Sequence, residues 1–391
     1  FSPRRALLVA TLAILAPTGA HAGGAYVVQN ADDAGPGSLR YGLEVAEATK
    51  IVIPGKIGTI RIDSTLMWNS TKPLTINGSR QTIRTDANIT LLTIAQGADL
   101  KIKNLNFRGP GGWSILNRGD LEGDPGKGIF VDLRDDQTGK VKVDLKNVSV
   151  RGAAFHGIHI SDCSLADKCG GGSGGGGDGS PASIAFKCTN CIVVDNGFGT
   201  QDGDGVRGDE RGMGSLYATI KNSMFNRNGA DGLELDEGDD GKVWLTVKNS
   251  QFNRNGQYCD PAILGEFIPD PDEAEFDESE QVTEGDIPGP VEDSPDDDCI
   301  EYEVSTYDSG FVESYEYGID TDDGVDLDEA GDGSIWSSMV NTDVNANFDE
   351  GVDYDEVGEG DIVTSYVRPR ANLNSDDGYT HTEEAGGDIY S

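Results

Sequence analysis

Carboxylates return at fixed distances from a recurring glycine. Asp204-Gly205, Asp231-Gly232, Asp323-Gly324, Glu350-Gly351 and Asp377-Gly378 align, and the steps from 205 to 232, 324 to 351 and 351 to 378 are each 27 residues. Four residues after the glycine stand Asp209, Asp236, Asp328 and Asp355; five after it stand Glu210, Glu237, Glu329 and Glu356. Copies of one unit stacked in register would bring like carboxylates to about 4.8 Å, where they repel by roughly 1 kcal/mol in water and several-fold more at lower effective dielectric. A cation between them would remove that repulsion. Calcium suits such oxygen-only columns, because it takes six to eight oxygens in flexible geometry. The alternative is an acidic surface that is solvated and holds no specific ion.

A second column is aromatic. Twelve residues after the glycine come Tyr217, Trp244 and Trp336. Strand parity sets Val243, Leu245 and Val247 on one face and Trp244 on the other, so the rings form an outward ladder if the valine face is the core. Rings in a row offer flat apolar faces on which sugars can stack; a loop lying over them is the competing reading.

A fixed period of this length implies one supersecondary unit stacked on copies of itself. In the coil from Asn228 to Asn255, Leu233-Glu234-Leu235 alternates as a strand, and Asp236 to Gly241 turns through residues that tolerate positive φ. Val243 to Val247 alternates again, and Phe252 re-enters the core. Helical periodicity is absent. The step from 232 to 324 reads as two periods plus an insertion bounded by Cys259 and Cys299. Asn77, Asn104, Asn147, Asn222, Asn249 and Asn341 share the position after a strand, where stacked side-chain amides can bond to one another.

Leu74-Thr75-Ile76-Asn77-Gly78 and Leu100 to Phe107, with this asparagine column, resemble the opening coils of right-handed parallel β-helix proteins of the pectin-lyase-like superfamily. The resemblance implies an all-β fold, a right-handed parallel β-helix of about 27 residues per coil, over residues 23–391. It also implies a short capping helix after Ser38, the N-cap, with Leu39, Leu43 and Ala46 on one face. Calcium-dependent lyases of that fold use an outward arginine as base beside metal-holding carboxylates. Arg207, two residues after Gly205 and beside Asp204, Asp209 and Glu210, is the position that matches. His156 and His159, flanking Gly157, are the next candidate bases. The family's W-x-D-H, G-H-G and R-I-K signatures are missing, so a polysaccharide lyase or related enzyme, and a non-catalytic structural or adhesive repeat protein, both stay open beside calcium-dependent polysaccharide binding.

Composition narrows the partners. A formal net charge of −39 over 391 residues repels nucleic acid and anionic lipid and collects cations. Arg4-Arg5, the apolar run from Ala6 to Ala16, and Ala20-His21-Ala22 read as an export signal over residues 1–22, and no later stretch is apolar enough to cross a membrane. Export favours disulfides among the six cysteines: Cys259 with Cys299 at the neck of the insertion, and Cys163, Cys169, Cys188 and Cys191 around a glycine-rich loop at residues 170–180. A zinc site at the C-x-x-C is the alternative there. The insertion, residues 260–298, is rich in carboxylates and proline and holds no Lys or Arg, a composition that predicts a solvated excursion. The sequence stops inside a repeat with no capping segment, and begins on Phe1, which predicts a longer natural chain.

Overall fold

The computed structural model describes residues 21–22, 24–113, 124–163, 179–260, 262, 272–287, 299–307, 309–319, 321–383 and 386–391. Most of the expected export signal, the body of the glycine-rich loop and parts of the insertion lie outside the described residues.

The repeat coils from Val206 to Asn372 each contribute one strand to a sheet of nine strands and two to a sheet of eighteen, and in some earlier coils the latter two run as one, as in Gly139–Arg151. In the reference coil these are Leu233–Glu237 in the short sheet, then Lys242–Lys248 and Gln251–Asn253 in the long one. This coil pairs in parallel with the one before it without slip: Leu216↔Val243, Tyr217↔Trp244 and Ala218↔Leu245 face one another, and so do Arg207↔Glu234 and Asp209↔Asp236. The chain is therefore a parallel β-helix. Alternation decides what lies inside, as Leu233, Leu235, Val243, Leu245, Val247 and Phe252 are all buried. Each fully buried aliphatic side chain contributes about 1.5–3 kcal/mol through removal from water. Phe225 and Phe252 stack one coil apart, with centroids 5.1 Å apart and planes 8° from parallel.

The repeat glycine is required by close approach. A Cβ on Gly232 would meet the carbonyl oxygen of Gly324 at 2.5 Å and the Asn255 side-chain nitrogen at 2.7 Å. In the turn from Asp236 to Gly241 the glycines do not take the positive φ anticipated for them. Gly241 is small because the Gly214 carbonyl and the Glu237 carboxylate occupy the space a side chain would need.

The asparagine ladder runs through Asn104, Asn147, Asn190, Asn222, Asn249 and Asn341, each amide nitrogen donating to the previous oxygen. All six take a left-handed φ near 52°. Asn190 joins at a coil whose turn is closed by the Cys188–Cys191 disulfide. Asn77 does not belong to it, because the register shifts between Asn77 and Gln81.

Three other expectations are corrected. Leu233 pairs directly with Val325 and Asn249 bonds Asn341 although 92 residues separate them, so Gly232 and Gly324 are one coil apart, not two plus an insertion. The excursion runs past Cys299 and is ordered where described: Asp272–Glu275, Ile300–Thr306 and Val312–Ile319 form an antiparallel sheet with Ile287, Val312 and Tyr315 buried. Phe276, Val282 and Ile287 of the acidic segment pack against Val304, Val312 and Tyr315 downstream of Cys299, so the two together make the small core that the acidic segment could not make alone. The N-terminal cap is one short helical segment containing a π-turn, Tyr41–Val45. Leu39 and Leu43 are buried and Ser38 Oγ accepts from the Tyr41 N–H at 3.1 Å, whereas Ala46 is exposed because the helix has already ended. The expected neck bridge forms, with Cα atoms of Cys259 and Cys299 5.4 Å apart.

Substituting Gly232→Ala is expected to cost about 1–3 kcal/mol in urea unfolding, through overpacking between coils. Gly285→Ala, whose added carbon would meet nothing nearer than 3.9 Å, should unfold at or above the wild-type midpoint.

Candidate functional site

The outward face of the short sheet changes chemistry along the solenoid axis. One register column reads Thr93, Phe130, His159, Arg207, Glu234, Asp326 and Asp353. The column two residues on reads Asp132, Ser161, Asp209, Asp236, Asp328 and Asp355. Ahead of the repeat glycine stand Lys127, His156, Asp204, Asp231, Asp323 and Glu350. One end of the face is thus aromatic and cationic, and the other is carboxylate alone.

At the cationic end the groups are buried and linked. His159 Nε2 lies 2.5 Å from Asp209 Oδ2, and its Nδ1 lies 2.5 Å from Lys127 Nζ. With both nitrogens engaged in this way, the ring is neutral, donating to Asp209 and accepting from the lysine. Burial, then the Lys127 charge, push the His159 pKa down to about 4. Burial also brings Lys127 down to about 8, against the opposing pull of Asp209. The Lys127 ammonium sits 4.3 Å from the Phe130 ring centroid. His156 is buried, with Nδ1 3.0 Å from Asp204 Oδ2.

Arg207 is the hub. Its Nε donates to Asp209 at 2.8 Å, Nη1 to Asp202 at 2.8 Å and Glu234 at 2.5 Å, and Nη2 to Asp236 at 2.6 Å. Arg211 Nη2 reaches the same Asp236 oxygen at 2.7 Å. Burial works against the Arg207 charge, but Asp202, Glu234, Asp236 and Asp209 override it and hold its pKa well above the usual value. In this arrangement Arg207 is a fixed cation, and removing its proton for base chemistry would strip four carboxylates of their partner. The histidines, neutral by burial, are the groups here with basic nitrogens.

Beyond Arg207 the carboxylates have no such partner. Among the described residues no salt bridge involves Asp323, Asp326, Asp328, Glu350 or Asp353. Oxygens of Asp231, Glu234 and Asp326 lie within 4.8 Å of one another, as do those of Glu234, Asp236 and Asp328, and of Asp323, Asp326 and Asp353. Asp202, Asp204 and Glu234 form another such group, and Asp323, Asp349 and Glu350 a further one. Asp236 Oδ1 and Asp353 Oδ1 are buried without a hydrogen-bond donor. Burial first, and neighbouring carboxylates second, push Asp326, Asp328 and Asp323 well above the ordinary range, Asp353 up to about 7 and Glu350 to about 8.

Strand parity splits the carboxylate pairs read from the sequence. Asp236 and Asp328 join the close groups, whereas Glu210, Glu237, Glu329 and Glu356 point inward at the corner of the coil and are fully buried. One oxygen of each holds the following turn: Glu237 accepts from Gly241 N–H at 3.1 Å and Glu356 from Gly358 and Gly360 N–H, both at 3.1 Å. The other oxygens, Glu210 Oε2, Glu237 Oε1, Glu329 Oε2 and Glu356 Oε2, lack a donor. Burial first pushes Glu210 and Glu329 to about 8, against the hydrogen bond each makes with Glu237, and burial with the flanking Glu210 and Glu329 pushes Glu237 to about 12, so these three carry protons at neutral pH. Asp209 is engaged by Arg207 and His159, and Asp355 is not in the close groups. Glu234, Asp326 and Asp353, two after the glycine, and Asp231 and Asp323, one before it, complete the cluster. The repeat offsets showed those columns, but only register shows which oxygens converge.

The aromatic ladder lies on the long sheet. Tyr217 and Trp244 have centroids 6.3 Å apart, and Trp244 and Trp336 5.3 Å apart at 10°. Trp244 is 42% and Trp336 39% exposed, and Lys140 Nζ caps Tyr217 at 3.3 Å from its centroid. Among the described residues the two tryptophan rings stay exposed, and the Tyr217 ring is half-buried under the lysine.

No protein-family model and no curated protein matches the chain. Among solved structures it is similar to the GH136 lacto-N-biosidase from Eubacterium ramulus, at 11% identity and a TM-score of 0.36, over 94% of this chain and 68% of that one. It is also similar to the catalytic domain of a GH87 alpha-1,3-glucanase in complex with tetrasaccharides, at 10% identity and a TM-score of 0.27, over 92% of this chain and 69% of that one. Likeness at this level bears on neither substrate nor chemistry, which rest on the geometry above.

Replacing Arg207 with Gln is expected to destabilise the fold by about 3–5 kcal/mol, the cost of leaving buried carboxylates without their cation. Denaturant unfolding near neutral pH measures it, and an unchanged midpoint would mean the hub is dispensable.

Proposed function

We propose that the protein is an exported β-helix that binds calcium along the acidic half of its short sheet and engages extracellular polysaccharide on its exposed aromatic ladder. The observation that carries the first part is the set of mutually close carboxylate triads, buried or half-buried, in which Arg207 and Arg211 reach Glu234 and Asp236 but no salt bridge among the described residues reaches Asp323, Asp326, Asp328 or Asp353. Two charges at 4.8 Å repel by about 3–4 kcal/mol at an effective dielectric near 20. Oxygens bound to one calcium at about 2.4 Å lie up to about 4.8 Å apart, whereas magnesium, at about 2.1 Å, demands a tighter octahedron. Asp231, Glu234, Asp236, Asp323, Asp326, Asp328 and Asp353 would hold the ion, and its charge would replace the protons that burial otherwise forces onto Asp323, Asp326, Asp328 and Asp353.

The pH dependence follows with a definite sign. Asp353, Glu329 and Glu350 have folded pKa values near 7, 8 and 8, raised above the ordinary carboxylate values. The folded state therefore keeps protons that the unfolded chain has lost. Their stabilising effect is full below about pH 4 and is lost as pH rises through about 7 to 8. Chelated protein should accordingly melt at lower temperature at about pH 8 than at about pH 5. Calcium at a hundredfold excess over its dissociation constant should return about 2.7 kcal/mol at pH 8 and much less at pH 5. Identical melting with calcium and chelator at matched ionic strength would sink the metal assignment.

For the ladder, Trp244→Ala with Trp336→Ala should weaken binding of cellohexaose or maltohexaose about tenfold, each stacked ring being worth roughly 0.5–1.5 kcal/mol. Unaltered calorimetric titrations would remove the saccharide reading. A second reading, a carbohydrate-active enzyme, draws on one observation: a lysine brought to about 8 beside a neutral histidine is suited to move a proton near neutrality. Release of reducing ends or unsaturated products that disappears in Lys127→Met would favour it.

A further inference from the structure

A different column on the long sheet runs against the charge of the whole chain. Arg61 pairs in register with Arg84, Arg84 with Arg108, and Arg108 with Arg151. Four guanidinium groups therefore follow one another at strand spacing in a protein of net charge −39. The first two share one counter-ion: Arg61 reaches Asp86 at 2.9 Å and Arg84 reaches it at 2.5 Å. The last two do not. Among the described residues neither Arg108 nor Arg151 has an ion pair or a side-chain hydrogen bond, and both are exposed. Beyond Arg151 the column passes to Val194 and Asn226, and the charge ends.

Arg108 and Arg151 line one concavity of about 410 Å³. Trp113 and Phe198 supply its apolar wall, and Gly109 and Gly152 bring bare backbone to it. The carboxylate in the lining, Asp195, is already taken, because Arg227 binds both its oxygens at 2.7 and 3.1 Å. The pocket thus combines two uncompensated, neighbouring forks with aromatic surface. Such forks match the two-oxygen edge of a carboxylate or sulfate.

We propose that Arg108 and Arg151 form a subsite for one acidic sugar residue, carboxylated or sulfated, on an otherwise neutral glycan. The shared chemistry is an oxyanion on a pyranose ring: the oxyanion bridges the two guanidinium groups and the ring packs on Trp113 and Phe198. A single charge is favoured over a uniformly charged polymer because the rest of the molecule repels polyanions at long range. The oxyanion site stands on the pocket alone; that a sugar bears the anion rests on the saccharide reading given above.

Calorimetric or NMR titration with glucuronate, glucose 6-sulfate, glucose and acetate tests it. Glucuronate or glucose 6-sulfate should bind wild-type protein at least tenfold more tightly than glucose, with affinity falling as salt is raised. Arg108→Gln with Arg151→Gln should lose that preference tenfold or more, while Arg84→Gln, outside the pocket, should keep it. The stronger of the two acidic sugars identifies the oxyanion. Equal binding to wild type and the double variant, or no binding of either acidic sugar to wild type, would overturn the subsite. Acetate binding as tightly as glucuronate would overturn the sugar. Because Trp244 and Trp336 lie outside this pocket, loss of hexasaccharide binding in their variants reads the ladder separately.

Discussion

Every coil lies on a copy of itself in register, so each side chain rests on its own kind about one strand spacing away. Whether a residue type can tolerate that neighbour decides most of this structure. Asparagine can, because its amide carries a donor and an acceptor and completes its own ladder. The chain uses this repeatedly: at the exposed turn from Asn104 to Asn341, and in a buried line through Asn196, Asn228, Asn255 and Asn347. A third line links Asn253, Asn345 and Asn372. Aliphatic and aromatic side chains tolerate it as well, and the core and the Tyr217–Trp336 ladder are the result.

Carboxylates do not tolerate it, since an ionised acid is acceptor-only and repels its copy. The protein answers this in three ways along its length. Around Arg207 a guanidinium is placed among the acids, and Arg211 reinforces it. At the inner corner, Glu210, Glu237 and Glu329 are given backbone donors for one oxygen and keep protons on the column. On the outer face beyond Glu234, among the described residues, no basic side chain is placed among Asp323, Asp326, Asp328 and Asp353, and burial with mutual repulsion raises their pKa values instead.

The solenoid is thereby polarised. Its first coils bring Lys127, His156, His159 and the aromatic rings of Phe130 and Phe155 together, while its later coils present acid alone on the same sheet. The long sheet carries the complementary chemistry, with arginines at one end and stacked tryptophans further along. A repeat fold reaches such a gradient by substituting single positions in a column, because the backbone stays fixed while the side chain changes.

Much of this was legible in the residues alone. The 27-residue spacing and the alternation of Val243 to Val247 follow from a period-two backbone and are visible in the chain itself, whereas the turn glycines were legible as glycines but owe their smallness to the neighbouring coil. The outward aromatic ladder was legible for the same reason, and the Cys259–Cys299 neck because the two cysteines bracket the acidic insertion in a chain that reads as exported. Strand pairing across sequence was not. The 92 residues between Leu233 and Val325 hide a single coil step, because the excursion's length has no relation to the repeat, and only hydrogen-bonded register closes it. Asn190 belongs to a ladder through the three-dimensional stack while standing outside the 27-residue spacing. Asp236 and Glu237 look equivalent in sequence, yet adjacent strand residues face opposite ways, and tertiary packing sent one to the outer carboxylate cluster and the other into the coil. The uncompensated pair Arg108 and Arg151 was equally invisible: charge is a property of the residue, but lacking a counter-ion is a property of everything that surrounds it.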